Sequence, residues 1–170
     1  MKRLSEATRG GLPREVAQPA YDRAACGIGI VHLGLGAFHR AHQAIYLHKL
    51  FETGRDLDWA LIGAGVRPAD GVMREKLGAQ DWLTTVVELD PQGLNAQVSG
   101  SMIDFVDVDP GALIAAMARP EIRIVSLTVT EGGYYVDANT GGFDASHPDI
   151  LADLGNREHP KTVFGIIIAA

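Results

Sequence analysis

The sequence predicts an α/β protein, a mostly parallel sheet with helices on both faces. Three stretches carry that prediction. Ile28 to Leu33 is a short apolar run, the pattern of a buried strand. Gly34-Leu35-Gly36 makes a tight turn, and a helical pattern then runs from Ala37 to about Glu52, with Ala41, Ala44, Ile45, Leu47, Leu50 and Phe51 on one stripe. Trp59 to Gly63 is a second short apolar run, so strand, crossover helix and parallel strand follow in order.

A glycine turn between a strand and a helix has a specific chemical use. Glycine lets the backbone turn sharply and approach a pyrophosphate, while the helix start presents free N–H groups to the anion. This is the opening unit of a Rossmann-type dinucleotide-binding fold. The third glycine of the usual G-x-G-x-x-G pattern is replaced by His39.

The remaining elements follow from local signals. Residues 1–25 hold Pro13 and Pro19 with little periodicity and read as an arm over the surface of a domain spanning 26–170. Thr53-Gly54 ends the first helix, and a second is expected from about Asp70 to Leu77, with Pro68 near its start. Trp82 to Leu89 alternates like a strand, Pro91-Gln92-Gly93 turns, and Leu94 to Val98 returns as a hairpin. Ser101 to Val106 adds a strand, Pro110 opens a helix through Met117, and Ile122 to Val129 reads as a buried strand. After a second hairpin or loop at Tyr135 to Phe143, a short helix is expected over Pro148 to Leu154. The last run, Val163 to Ala170, is apolar and ends without a cap, which reads as a sheet domain cut before its second mononucleotide half rather than as a buried C-terminal strand.

Composition narrows the function. The 170 residues carry a formal net charge of −6 and no basic stripe, so nucleic acid is not an expected partner. No apolar run approaches a membrane span, and the first ten residues lack the apolar core of a secretory signal. Cys26 is the only cysteine, which excludes an internal disulfide and suits a reducing cytoplasm. His39, His42 and His48 lie along one helical segment, but no carboxylate stands within a turn of the first two, so no metal is expected. His32, inside the first strand, reads as a satisfied core histidine.

The candidate site residues gather at the carboxyl ends of the strands. Gly34, Gly36, Ala37 and Phe38 form the turn and helix start, with His39 and Arg40 expected beside the phosphates, or packed against the arm and a second domain outside these residues. Asp70 follows the second strand, where a carboxylate would hold the ribose hydroxyls; helix N-capping is the plainer role, and the two are compatible. Arg67 competes with it, as a guanidinium there could hold a 2′-phosphate or stack on adenine. NAD is preferred to NADP. Thr130-Glu131-Gly132-Gly133 follows the strand at Ile122 to Val129, and Glu131 stands where a nicotinamide or substrate hydroxyl would lie, or is a surface acid. No residue is convincingly placed as a general base for an alcohol.

Gly34-Leu35-Gly36-Ala37-Phe38-His39-Arg40-Ala41-His42-Gln43 resembles the signature of the long-chain mannitol dehydrogenase family. The resemblance continues through Trp59 to Asp70, Gly78 to Asp81, Pro120 to Tyr134 and Lys161 to Gly165. It implies a Rossmann-type domain followed by a helical substrate domain that supplies a catalytic lysine and polarising asparagines, with no metal. It implies hydride transfer between NAD(H) and a small-molecule polyol or keto-sugar such as mannitol or fructose, or a hexuronate. By motif, Gly34, Gly36 and Phe38 fall on the phosphate loop, Asp70 on the ribose carboxylate and Glu131 on an acid near the nicotinamide. The lysine and asparagines have no counterpart among these residues, so the chain is expected to bind cofactor without catalysing turnover. The other class to be weighed is a non-catalytic nucleotide-binding module.

Overall fold

The computed structural model describes residues 3–170, apart from the side chain of Glu131. In chain order the elements are α1 (Glu6–Arg9), β1 (Ile28–Leu33), α2 (Ala37–Ala41), α3 (Gln43–Phe51), β2 (Ala60–Ala64), α4 (Asp70–Gly78), β3 (Thr84–Asp90), β4 (Gly93–Ser99), β5 (Met102–Phe105), α5 (Pro110–Met117), β6 (Ile124–Leu127), α6 (Pro148–Gly155) and α7 (Val163–Ala169). Four strands form a parallel sheet in the order β5-β2-β1-β6, and β3 and β4 form a separate antiparallel hairpin. The chain leaves β1 towards β2 and β5 on one side and returns to β6 on the other. The order therefore reverses between β1 and β6, and that is where open α/β sheets bind ligands.

Alternation along the strands divides the core. Val31, Leu33, Ile62 and Ala64 meet Leu113 and Met117 of α5 and Val163 and Ile166 of α7 on one face. Ile30 and Leu61 meet Ala44 of α3, Leu77 of α4, Met102 and Phe105 on the other. Both faces of β1 and β2 are buried, which is why their sequences are apolar apart from His32.

Two expectations change, and the form of the last run is decided. The helix after the glycine turn is two helices, broken at His42, whose φ of −121° and ψ of −83° leave the helical region. There the His42 ring also bonds the Phe38 carbonyl, at 2.8 Å, and adds a side-chain partner to the backbone ladder. β6 is an edge strand of this sheet, paired to β1 alone, and Ile124 and Val125 are 43% and 38% exposed rather than buried. An apolar run does not say whether it has one neighbour or two. The final apolar run, whose element the sequence leaves open, is a helix and not the alternative buried strand: Thr162 caps it by accepting from Gly165 N, and Ile166 is buried while Ile168 is 84% exposed.

The arm is fastened to the sheet domain. Its backbone bonds the hairpin, Ala17 N to Ala96 O at 3.0 Å and Val98 N to Ala17 O at 2.8 Å. The Arg23 guanidinium donates to the carbonyls of Gly100, Asp81 and Met102 at 2.8–2.9 Å and pairs with Glu6. Tyr21 hydrogen-bonds the buried His48 ring at 3.0 Å. No helix among the described residues is long and apolar enough to cross a membrane.

Candidate cofactor site

A cleft of ≈ 820 Å³ opens at the carboxyl ends of β1, β2 and β6. Gly34, Leu35 and Gly36 form its floor, Arg67 and Asp70 one side, and Thr128, Val129, Thr130, Gly132 and Gly133 the other. Tyr135, His147, Asp149 and Lys161 also line it.

Gly34 has a φ of +93°, and a Cβ there would lie 2.7 Å from the Thr128 carbonyl oxygen, so glycine is required for both conformation and space. Gly36 differs. Its φ is −66°, and a Cβ there would meet nothing within 4 Å. The space over Gly36 is open, a cradle that a side chain would fill. The N–H groups of Leu35, Gly36, Ala37 and Phe38 donate to no protein acceptor among the described residues. Free donors beside open space are what an anionic pyrophosphate requires.

Asp70 spans the next turn. Its Oδ2 accepts from Val66 N and Arg67 N, both at 2.9 Å. It is the first residue of α4, and Ala69 holds the N-cap position, so the helix-capping role does not hold. The carboxylate instead ties the β2–α4 loop to the helix and leaves Oδ1 without a protein partner among the described hydrogen bonds. Arg67 is exposed beside it. The two competing candidates thus share one wall of the cleft.

Thr130 and Gly132 line the opposite wall, while the side chain of Glu131 lies outside the described residues. Ala37 and Phe38 do not line the cleft. Phe38 is 66% exposed and stacks on His42 with ring centroids 4.3 Å apart, so only its backbone is placed to meet a phosphate.

His39 and Arg40 are corrected. His39 is 1% exposed and stacks on His32, with centroids 3.7 Å apart and planes 14° apart. Its helix faces the sheet at that point, which turns the ring into the core. Arg40 donates to the Leu35 carbonyl and reaches Met73 Sδ, bracing the turn from behind.

His32 is satisfied, as expected: Nδ1 meets Ser126 Oγ at 2.7 Å, and Nε2 meets Thr128 Oγ1 at 3.0 Å and the Gly34 carbonyl at 3.2 Å. Burial pulls the His32 pKa down to about 4, against a weaker upward pull from the Gly34 carbonyl. Burial, then repulsion from His32, pulls His39 down to about 3. Both rings are neutral at physiological pH.

Tyr135, His147 and Asp149 were not anticipated, and Lys161 was marked only by the stretch that carries the family resemblance. Tyr135 lies in the loop after the glycines at 132 and 133, His147 and Asp149 at the start of α6, and Lys161 between α6 and α7, and no periodicity marks them. Tyr135 packs edge-on against His147 with centroids 4.7 Å apart. Burial first, then the Asp149 and Asp153 carboxylates, raises the Tyr135 pKa, so its hydroxyl keeps its proton at neutral pH and is no base there. Asp153 holds the far rim, accepting from Lys161 N at 2.7 Å and from Thr162 N and Oγ1 at 2.9 and 2.6 Å. Burial alone would raise its pKa, but these bonds outweigh it and hold the carboxyl below the usual range.

A second concavity, of ≈ 570 Å³, lies at the amino ends of the strands around Cys26, Asp58, Arg119 and Arg123. Its charges pair with one another, Arg123 with Asp58 and Arg119 with Glu121, so it offers no free group to a ligand. Among the described residues no three His, Cys, Asp or Glu side chains come together as a metal site.

The strand order and the glycine-floored cleft at its reversal define a Rossmann-type domain of the kind found in nicotinamide-dependent oxidoreductases. The chain belongs to the mannitol dehydrogenase family: the family model for the mannitol dehydrogenase Rossmann domain matches residues 28–170. It is 59% identical to mannitol 2-dehydrogenase of Cereibacter sphaeroides over 161 residues, 94% of this chain and 34% of that protein. Among solved structures it is similar to Pseudomonas fluorescens mannitol 2-dehydrogenase in its ternary complex with NAD and D-mannitol, with a TM-score of 0.93 and 46% identity, covering 99% of this chain and 35% of that one. It is also similar to a substrate-free D-sorbitol dehydrogenase, with a TM-score of 0.89 and 37% identity over the same shares. The chain spans about a third of the length of these relatives.

Proposed function

We infer that this chain is the NAD(H)-binding unit of a polyol dehydrogenase, residues 26–170 forming the unit and residues 1–25 its arm. The observation that carries the reading is the open cradle over Gly36, next to free backbone donors in the cleft between β1 and β6. When bound, the nicotinamide group supplies the hydride acceptor or donor. The residues present would do the holding. Leu35 to Phe38 would meet the pyrophosphate through N–H groups, and Asp70 Oδ1 would accept from a ribose hydroxyl. Thr130 and Gly132 would flank the nicotinamide end, with Glu131 assigned there by sequence alone. The preference for NAD rests on Asp70, since a 2′-phosphate at that wall would face a carboxylate. Arg67 would soften that preference.

The substrate class rests on kinship with mannitol 2-dehydrogenases and a sorbitol dehydrogenase. No described residue is argued to take the alcohol proton, so catalysis is assigned to groups outside these residues, and the chain alone would bind cofactor without turnover. The one-cysteine composition suits a reducing cytoplasm.

The test is calorimetric titration of the chain with NAD, NADH and NADP, beside Gly36→Val. The substitution meets no protein atom at Cβ and needs no unusual φ, so the melting temperature should hold while NAD affinity falls more than tenfold. Failure of the unmutated chain to bind NAD, or equal binding by Gly36→Val, overturns the reading. Rates of the longer protein on mannitol, sorbitol, arabinitol and fructuronate separate a polyol dehydrogenase from a hexuronate reductase.

A further inference from the structure

We propose that His32 is a positioning residue for the glycine turn, acting through a directed hydrogen-bond chain that begins at His39 and ends on the Gly34 carbonyl. The inference rests on the cofactor reading above and adds residues that do not line the cleft.

The chain crosses four elements and the turn. His39 Nδ1 lies 3.1 Å from Gln43 Oε1, and Gln43 Nε2 lies 3.2 Å from Ser126 Oγ. Ser126 Oγ lies 2.7 Å from His32 Nδ1, His32 Nε2 lies 3.0 Å from Thr128 Oγ1, and Thr128 Oγ1 donates to the Gly34 carbonyl at 2.7 Å. One assignment of hydrogens serves these contacts: His39 donates to Gln43, Gln43 to Ser126, Ser126 to His32, His32 to Thr128, and Thr128 to Gly34. It requires one proton on each imidazole, on Nδ1 of His39 and on Nε2 of His32. His39 Nε2 is then a buried acceptor without a partner, where the chain starts.

Its end explains the turn. Thr128 Oγ1 donates to the Gly34 carbonyl and holds it against β6, with the His32 ring packed behind the pair. The peptide joining Gly34 to Leu35 is planar and trans, so its N–H points opposite to its C=O. Turning the Gly34 carbonyl inward thereby turns the Leu35 N–H away from the polar chain, and that N–H has no protein acceptor among the described residues. The buried chain thus keeps a donor of the phosphate cradle aimed and free. Stacking of His39 on His32 holds the ring plane that Nε2 needs.

The test uses ADP, which carries the pyrophosphate, and adenosine, which does not, titrated into the 170-residue chain and followed by chemical-shift changes. Ser126→Ala and His32→Leu each break the chain without touching the cleft. ADP affinity should fall about five- to tenfold, the scale of one lost or misaimed hydrogen bond, while adenosine affinity stays unchanged. His32→Gln, which retains a donor near Nε2, should recover most of the loss. In ¹⁵N-histidine spectra the His32 Nε2 proton should be visible and should shift when ADP, but not adenosine, is added. If His32→Leu does not fold, Ser126→Ala carries the test, because it removes a single half-buried hydroxyl. ADP affinity within twofold of the unmutated value in folded variants overturns the proposal and leaves the cofactor reading standing. Failure of the unmutated chain to bind ADP at all overturns both.

Discussion

Gly34 and Thr128 approach so closely that one added methyl on the glycine would lie 2.7 Å from the threonine carbonyl oxygen. The contact joins the turn after β1 to the end of β6 and sets the back of the cleft. Gly34→Ala should pay twice, for a positive φ and for the clash, and lose about 1–3 kcal/mol of stability. Denaturant unfolding measures the loss, and NAD titration of the folded fraction should show weakened binding. Unchanged stability would mean that the turn relaxes away from β6 at no cost.

Asp70 separates charge from scaffolding. Asp70→Asn keeps an oxygen for Val66 and Arg67 N–H but removes the charge, so the preference for NAD over NADP should shrink while the melting temperature holds. Asp70→Ala should shrink the preference and also lower stability by about 1–2 kcal/mol through two lost backbone acceptor contacts. Equal affinities of the unmutated chain for the two cofactors would transfer the role at that wall to Arg67.

The last helix is tested by two isoleucines. Ile166 is fully buried and Ile168 is 84% exposed, as two positions a little over half a turn apart on a helix can be. Ile166→Ala should cost about 2–5 kcal/mol and Ile168→Ala within about 0.5 kcal/mol. In a strand the two would share a face and cost alike.

His32 and His39 predict acid lability. Their folded pKa values, about 4 and about 3, lie below the ordinary 6.5. As pH falls below about 6.5 the unfolded chain takes up protons that the folded chain refuses, so stability declines towards pH 4. With both rings contributing, the slope reaches about 2.7 kcal/mol per pH unit. Arg40 adds to the resistance of His39 to protonation. His39→Phe, which keeps a stacking ring, should flatten the decline by about half between pH 6 and 4 in urea melts. An unaltered pH profile would mean that His39 does not titrate on unfolding.

The strand-turn-helix opening, the hairpin over 84–99 and the helix at Pro110–Met117 were legible because each is written in adjacent residues: an apolar period, a turn at Pro91 to Gly93, a proline at the first helical position. The wall of the cleft was legible at Gly34, Gly36 and Asp70 because strand order places the ends of parallel strands together. The break at His42, the inward turn of His39 and the cleft residues Tyr135 and Lys161 were not, because each depends on what lies across the sheet.

The sequence by itself determined the fold class, the βαβ opening, the glycine turn and the positions from which a nucleotide could be held. Those properties follow from periodicity and backbone freedom, which act over a few residues. Tertiary structure alone decided that β6 is an edge strand, that the final apolar run coils into a helix on the core, and that Asp70 braces a loop rather than capping a helix. It also brought His39, Gln43, Ser126, His32 and Thr128 into one chain of hydrogen bonds from residues up to 96 positions apart. A partner across a sheet is set by how whole elements pack, and a buried polar group takes whichever donor or acceptor that packing delivers to it.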